Sequence, residues 1–439
     1  LDNWLKRLSG DKKSLLSEIR EDIAFTIDSD QKRLREILDK KIIPTTQKIR
    51  DLIPQYFNEL KDLISDYKDK KITVDDNLKK NPKWQEFYQT AEDLAAYLKN
   101  DFSFLQIIYE NLYLGLEAET EESEMKIKSS LNRCQDLIKR VEFNLKAEDD
   151  DYVFWLESSY YRGSEQIVQK SAPVDAGKFL PDMIWSKLTN VIFTSATITA
   201  ANSFDYFYRE TGIKKAEELK VESPFDYSKQ AELLIPLDFP DPGNNSFLKE
   251  LVLSLKEIIT KTKGSTMVLF TSYRMLNYCY NNLKAELEEM GIRILSQSKL
   301  SRNYIMQEFR SEYQTIIFGT SSFWEGVDLP GDLLKYLIMV KLPFPVPGEP
   351  LYKAKEDLLK AEGLNPFYNL ALPQAVIKFR QGFGHLIKSK KDTDYIILFD
   401  RRVKKRSYGR KFLDSIPAGC PVSEINRRDI LAKIDNNGA

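Results

Sequence analysis

Two hydrophobic rhythms divide the chain near residue 150. Before that point apolar residues recur at three- and four-residue spacing within charged stretches, over 1–24, 30–67 and 122–146, and only Pro44, Pro54 and Pro82 interrupt them. This half is predicted to be helical. After it come short, nearly continuous apolar runs at 152–156, 191–193, 231–235, 267–270, 316–318, 336–340 and 395–399. Runs that are apolar on both faces are what strands need when helices cover both sides of a parallel sheet. Amphipathic segments at 247–261, 273–290 and 302–313 alternate with them, which predicts an α/β class with right-handed crossovers in a doubly wound sheet. The Pro- and Gly-rich stretch 236–243 reads as a hinge or surface loop.

Composition narrows the function classes. At 439 residues the chain has room for two to four domains at roughly 100–200 residues each. Its longest apolar runs, such as 336–342, fall far short of a membrane span, so no membrane partner is expected. Three well-separated cysteines, Cys134, Cys279 and Cys420, without C-x-x-C spacing argue against a disulfide framework or a four-thiolate cluster and suit a reducing, cytoplasmic setting. A single histidine, His385, leaves too few imidazoles for a His-based metal site. No metal ligands are assigned. The net charge of −1 gives no global bias toward nucleic acid. The halves differ, however: 26 basic and 31 acidic residues precede residue 151, against 39 and 35 after it, so a polyanion site is expected in the second part. The start at Leu1-Asp2-Asn3-Trp4, with no initiator Met, reads as an internal cut in a longer polypeptide.

Four segments carry candidate chemistry. Thr194-Ser-Ala-Thr-Ile198 ends a predicted strand with small and hydroxyl-bearing residues, a place where backbone can approach a ligand or simply turn into a loop. Met267-Val-Leu-Phe-Thr-Ser-Tyr273 runs a buried strand into Thr-Ser, which either caps the next helix or offers hydroxyls to a phosphodiester. In Ile316-Ile-Phe-Gly-Thr-Ser-Ser-Phe-Trp-Glu-Gly-Val-Asp-Leu-Pro-Gly331, a strand opens into hydroxyl-rich backbone and then an acidic pair, Glu325 and Asp328, around Gly326. Trp324 in that segment is either a buried support or a base-stacking ring. The fourth, Phe379-Arg-Gln-Gly-Phe-Gly-His-Leu-Ile-Lys388, puts Gln381, His385 and Lys388 on one face if the helix continues through them. Its two glycines weaken a helix unless something packs closely against it. The basic stretch 401–411 either binds phosphates or is a solvated face.

In this order, the T-S-A-T, T-S-Y, W-E-G-V-D-L-P-G and Q-G-x-G elements, with Lys341-Leu-Pro-Phe-Pro345, resemble the DinG/XPD branch of superfamily 2 helicases over roughly residues 153–417. The resemblance implies a RecA-like parallel sheet as the second motor lobe over 229–439. It also implies a partial first lobe, with residues 1–150 as a helical arch insertion and 151–228 as the remainder of that lobe. Site roles follow residue by residue. Gln381, His385 and Lys388 match the catalytic element facing the ATP phosphates, and Glu325, Gly326 and Asp328 match the element linking nucleotide to DNA. Ser195, Thr197, Thr271, Ser272, Tyr273, Thr320, Ser321 and Trp324 match positions near single-stranded DNA.

Two departures from the family stand out. The pattern Q-G-x-G-R-x-x-R carries His385 and Lys388 in place of its arginines, and neither offers the planar, permanently charged fork of arginine. No G-x-x-x-x-G-K-[ST] loop and no D-E-A-H occur anywhere in the chain. The expected parent is therefore an ATP- and Mg-dependent helicase or translocase on single-stranded DNA. The chain itself is expected to bind no cofactor alone, to hold no iron-sulfur cluster and to be inactive as an ATPase. Its expected partners are DNA, the missing N-terminal part of the same protein and, through exposed sheet edges, another copy. The alternative is a non-unwinding nucleotide- and DNA-binding module that regulates an upstream exonuclease domain.

Overall fold

The computed structural model describes residues 2–9, 14–26, 28–67, 70–113, 121–161, 164–311, 314–324, 333–384, 387 and 394–437. They divide into two compact units, Leu1–Val174 with Glu349–Ala354, and Asp175–Gly348 with Lys355–Ala439.

The first unit is built on three long helices, Ile43–Ser65, Pro82–Leu112 and Glu121–Lys146. Local chemistry sets their starts: Asn81 accepts from the Lys83 amide at 2.9 Å, and Pro82 occupies the first turn, where its missing N–H costs nothing. Apolar residues at helical spacing, among them Ile49, Ile53, Leu60, Phe87, Leu94 and Leu98, form one core. A short strand β1 (Lys71–Thr73) and a long hairpin, β2 (Tyr152–Tyr161) and β3 (Ser164–Pro173), make an antiparallel sheet in the order β1-β2-β3. The run at 152–156 therefore corrects the expectation of a parallel strand. Phe154 and Leu156 are buried, with Phe143 set against Tyr152 and Phe154, while Trp155 on the other face is covered by Lys170 and donates to Glu157. Side-chain cover on both faces mimics the pattern of a buried parallel strand.

The second unit contains a seven-stranded, wholly parallel sheet. Its strands are β4 (Ala231–Pro236), β5 (Thr266–Leu269), β6 (Arg293–Ser296), β7 (Thr315–Gly319), β8 (Tyr336–Met339), β9 (Asp394–Leu398) and β10 (Val422–Ile425), in the order β10-β4-β9-β8-β5-β7-β6. Helices Phe247–Thr262 and Tyr273–Glu289 bury one face with Leu251, Leu255, Leu276 and Leu283, and helices Arg302–Ser311 and Leu372–Phe383 bury the other with Ile305, Phe309, Val376 and Phe379. Buried Asp400, just past β9, accepts from the Leu342 amide at 2.9 Å and from the Arg402 guanidinium, tying the ends of β8 and β9 together. The 236–243 stretch is a loop inside this unit, held by Lys341 donating to the Pro242 carbonyl at 3.4 Å and by a Lys405–Asp241 pair.

One expected strand is missing. Residues 191–193 belong to no strand or bridge, and Ile192 is 90% exposed. A lone short strand has no ladder to join, so the sheet proposed for this region does not form among the described residues. Leu219 and Val221, in a second stretch without regular secondary structure, are likewise open to solvent. Among the described residues no helix is long and apolar enough to cross a membrane.

Asp101 is fully buried in the helical unit. One carboxyl oxygen accepts from the Thr46 hydroxyl at 2.8 Å and the other has no hydrogen-bond partner among the described residues. Burial raises its pKa from 3.8 to about 7. The folded chain therefore holds a proton that the unfolded chain has lost, so this stabilisation is complete below about pH 4 and disappears as pH rises through 7. Urea unfolding of Asp101→Asn should show a gain at pH 8 on the order of 1–4 kcal/mol and little change at pH 4. An equal effect at both pH values would contradict the buried neutral acid.

Candidate nucleotide and nucleic-acid site

In an open parallel sheet, ligands bind outside the carboxyl ends of the strands where successive connections depart in opposite directions. Here that point lies between β5 and β8, because the chain leaves β5 toward β6 on one side and leaves β8 toward β9 on the other. The strand ends are level. Phe270 donates to the Gly319 carbonyl at 2.8 Å, Val340 to Leu269 at 3.1 Å, and Gln297 to Phe318 at 3.0 Å. The expected segments start from these ends.

After β5, Thr271 and Ser272 are half-buried and Tyr273 is exposed. Ser272 caps the next helix, accepting from the Met275 amide at 3.3 Å, so the capping role holds for this residue. After β7, Thr320 is buried, and both its amide and its hydroxyl donate to Gln297 Oε1, at 2.6 and 3.0 Å. Gln297 Nε2 in turn donates to Ser322 Oγ at 2.6 Å. The Thr320 hydroxyl expected at DNA is thus committed inside the protein, and Ser322 is the exposed hydroxyl of this turn. Ser321 opens the turn Ser321–Phe323, but its side chain lies outside the description, as do Glu325, Gly326 and Asp328.

Trp324 is 1% exposed, and its Nε1 donates to the Phe270 carbonyl at 3.3 Å. A ring with no free face cannot stack a base, so its expected place among the DNA contacts is corrected to that of a core support. Its neighbour is the fourth motif. The helix Leu372–Phe383 passes so close that a Cβ on Gly382 would lie 3.4 Å from the six-membered ring of Trp324 and 2.5 Å from Met339 Cε. This is the close packing that the weakening glycine requires. The described helix runs to Phe383 with Gly384 as its cap, and the expected face through 385 and 388 lies outside the described residues. His385 and Lys388 lie outside the described residues.

Gln381 is half-buried, and its Oε1 is shielded from solvent without a hydrogen-bond partner among the described residues. Such an orphan acceptor calls for a partner beyond the described residues, a water or a ligand. Arg380 beside it donates to the Thr199 hydroxyl at 2.9 Å, and burial depresses its pKa. That bond joins the motif helix to the segment after Thr194–Ile198, where the Thr197 amide donates to Ser195 Oγ at 3.2 Å in a local turn. Ser195 is exposed and Thr197 half-exposed. The last three segments thus meet through described contacts, and Thr199, just after the first, bonds the helix of the fourth. The basic stretch 401–411 is largely structural: Arg402, Lys404 and Lys405 pair with Asp400, Glu424 and Asp241.

Residues 255–419 match the helicase C-terminal domain family. The chain is 32% identical over 80% of its length to the 3'-5' exonuclease DinG of Bacillus subtilis, covering 39% of that protein. It is 36% identical over 60% of its length to the ATP-dependent DNA helicase DinG of Photobacterium profundum, covering 39% of it, and 33% identical over 63% to the ATP-dependent DNA helicase YoaA of Escherichia coli, covering 42%. The chain is thus similar to DinG and YoaA proteins over 60–80% of its length. Two solved XPD structures share its fold, one an XPD helicase with TM-score 0.53 at 17% identity over 93% of this chain and 64% of that one, the other an apo XPD with TM-score 0.54 at 16% over 86% and 69%. The parallel sheet of this chain is RecA-like. The chain spans about two fifths of the length of these DinG and YoaA relatives.

Gln297 had no place in the motif pattern. Its strand is flanked by Arg293 and Ser296, which hide it from a search for apolar runs. The signal was a glutamine directly after Ile-Leu-Ser, one residue beyond the sheet. Gln297→Ala leaves the Thr320 amide and two hydroxyls without partners and should lower unfolding stability by about 1–3 kcal/mol in urea titrations. Gln297→Glu keeps the acceptor for Thr320 and should lose less. Equal stability of all three chains would show that Gln297 does not hold the turn.

Proposed function

We propose that this chain is the C-terminal part of an ATP-driven translocase on single-stranded DNA. It supplies the second motor lobe's side of the ATP cleft and much of the DNA track, and it does not hydrolyse ATP by itself. The observation that carries this reading is the meeting of the second, third and fourth motif segments at the switch point of one parallel sheet, with Thr199 after the first segment bonded to the same helix and Gln381 carrying an acceptor without a partner among the described residues. Gln381, His385 and Lys388 face the phosphates of ATP, which is used with Mg²⁺. Glu325, Gly326 and Asp328 connect nucleotide to DNA, and Ser195, Thr197, Thr271, Ser272, Tyr273 and the Thr320–Ser321 backbone lie along the strand. Movement follows from two lobes closing and opening around nucleotide.

Residues 1–150 serve as the arch insertion and 151–228 as the remainder of the first lobe. The open apolar positions Ile192, Leu219 and Val221 support the need for neighbouring strands, which an upstream part of a longer polypeptide supplies, or a second copy through the same edges. A second reading has its own support, since the relative matched over most of this chain is named an exonuclease and the two family arginines are His385 and Lys388. In that reading the lobes hold nucleotide and DNA for a nuclease domain without unwinding.

ATP turnover separates the readings. The 439-residue chain should show none, with or without single-stranded DNA, and DNA-dependent turnover by it would overturn the incomplete cleft. In a polypeptide extended upstream through a phosphate-binding loop, His385→Arg with Lys388→Arg should raise DNA-stimulated kcat by roughly tenfold or more, given what an arginine finger contributes. An unchanged kcat would favour the regulatory module.

A further inference from the structure

A cavity of about 310 Å³ lies within the second unit, between the segment that follows Ile198 and the entry to the motif helix. Its floor is apolar, with Leu372 and Val376, and the rings of Tyr206 and Tyr368 line it. Tyr368 is 56% exposed, so its ring is available, while Tyr206 is fixed by Gln374, whose Nε2 donates to its hydroxyl at 2.9 Å. Two cations, Arg209 and Lys411, complete the rim; both are exposed, and neither has an ion-pair partner among the described residues. The one carboxylate of the lining, Asp205, accepts from the Ser203 hydroxyl at 2.6 Å. An apolar floor, an exposed aromatic face and two uncommitted cations on one cavity are the features that receive a base and its flanking phosphates.

The geometry points to this cavity as a binding site for one nucleotide of a single strand, its base against Tyr368 and its phosphates toward Arg209 and Lys411. The assignment rests on the proposed DNA track and adds to it a site that none of the four motifs contains. Its position has a consequence. The segment bearing Tyr206 and Arg209 is bonded to the motif helix through Thr199–Arg380, Tyr206–Gln374 and, from the helix Pro350–Ala361, through the Lys355–Glu210 pair at 2.6 Å. A nucleotide seated there presses on the same helix that carries Gln381.

The test is fluorescence anisotropy of labelled oligothymidylate titrated with the 439-residue chain across a salt series. Replacing both Arg209 and Lys411 with alanine should flatten the slope of log affinity against log salt by about 1.4, the value for two lost phosphate contacts on single strands. Tyr368→Ala should weaken binding on the order of tenfold, and Tyr368→Phe should restore it. All three side chains are exposed, and unchanged thermal melts establish that the variants fold. If the unaltered chain binds and the variants match it in affinity and slope, the cavity is not the site, although the DNA track stands. If the unaltered chain binds no oligonucleotide, both fall. Thymidine monophosphate that binds the unaltered chain but not the variants, with oligonucleotide binding undiminished in them, places a free nucleotide there and overturns the strand assignment.

Discussion

The second unit is organised around one contact, the indole of Trp324 seated under Gly382. Because position 382 carries no side chain, the motif helix packs onto Met339 Cε and the face of the tryptophan ring, and because the indole N–H reaches the Phe270 carbonyl, that ring is fixed to the end of β5. A side chain at 382 would meet Met339 Cε first, at 2.5 Å, and the ring at 3.4 Å. A smaller one at 324 would open a void beneath it and leave the Phe270 carbonyl unpaired, two penalties that add in a densely packed interior. The orientation of Gln381, one residue along the helix, depends on this seat.

The same contact explains how a sheet edge of modest hydroxyls becomes a defined surface. Gln297 holds the turn after β7 by taking both donors of Thr320 and giving one to Ser322, so the backbone leading into Trp324 is fixed at both ends. Arg380 extends the arrangement on the other side by bonding Thr199. The segments proposed for nucleotide and those proposed for DNA therefore share one packed unit. A packed interior shifts between discrete arrangements and does not deform gradually, which is the coupling that the proposed motor would use.

Much of this was legible in the sequence because strand and motif coincide. The runs at 231–235, 267–270, 316–318, 336–340 and 395–399 are strands of the parallel sheet, and the helices near 247, 273 and 302 flank it. The illegible parts have physical reasons. The run at 152–156 is apolar on both faces because helices cover one side and Lys170 the other, so a hairpin imitates a parallel strand. β6 and β10 carry Arg293, Ser423 and Glu424 and stand at the sheet's edges, where polar residues are tolerated. The run at 191–193 has the residues of a strand and no partner. In the site, Trp324 was ambiguous because a tryptophan's hydrophobicity does not say which face is free, and the burial of the Thr320 hydroxyl depends on a glutamine 23 residues away in sequence.

A double-mutant cycle on Met339→Ala and Gly382→Ala, read by urea unfolding of the chain, probes the seat itself. In the unaltered chain the new methyl would lie 2.5 Å from Met339 Cε, whereas alanine at 339 removes that atom and makes room. The account predicts that Gly382→Ala is better tolerated beside alanine than beside methionine at 339, with a coupling of about 0.5–3 kcal/mol. Effects that add to within about 0.3 kcal/mol would contradict the close seating of the motif helix on the end of β8.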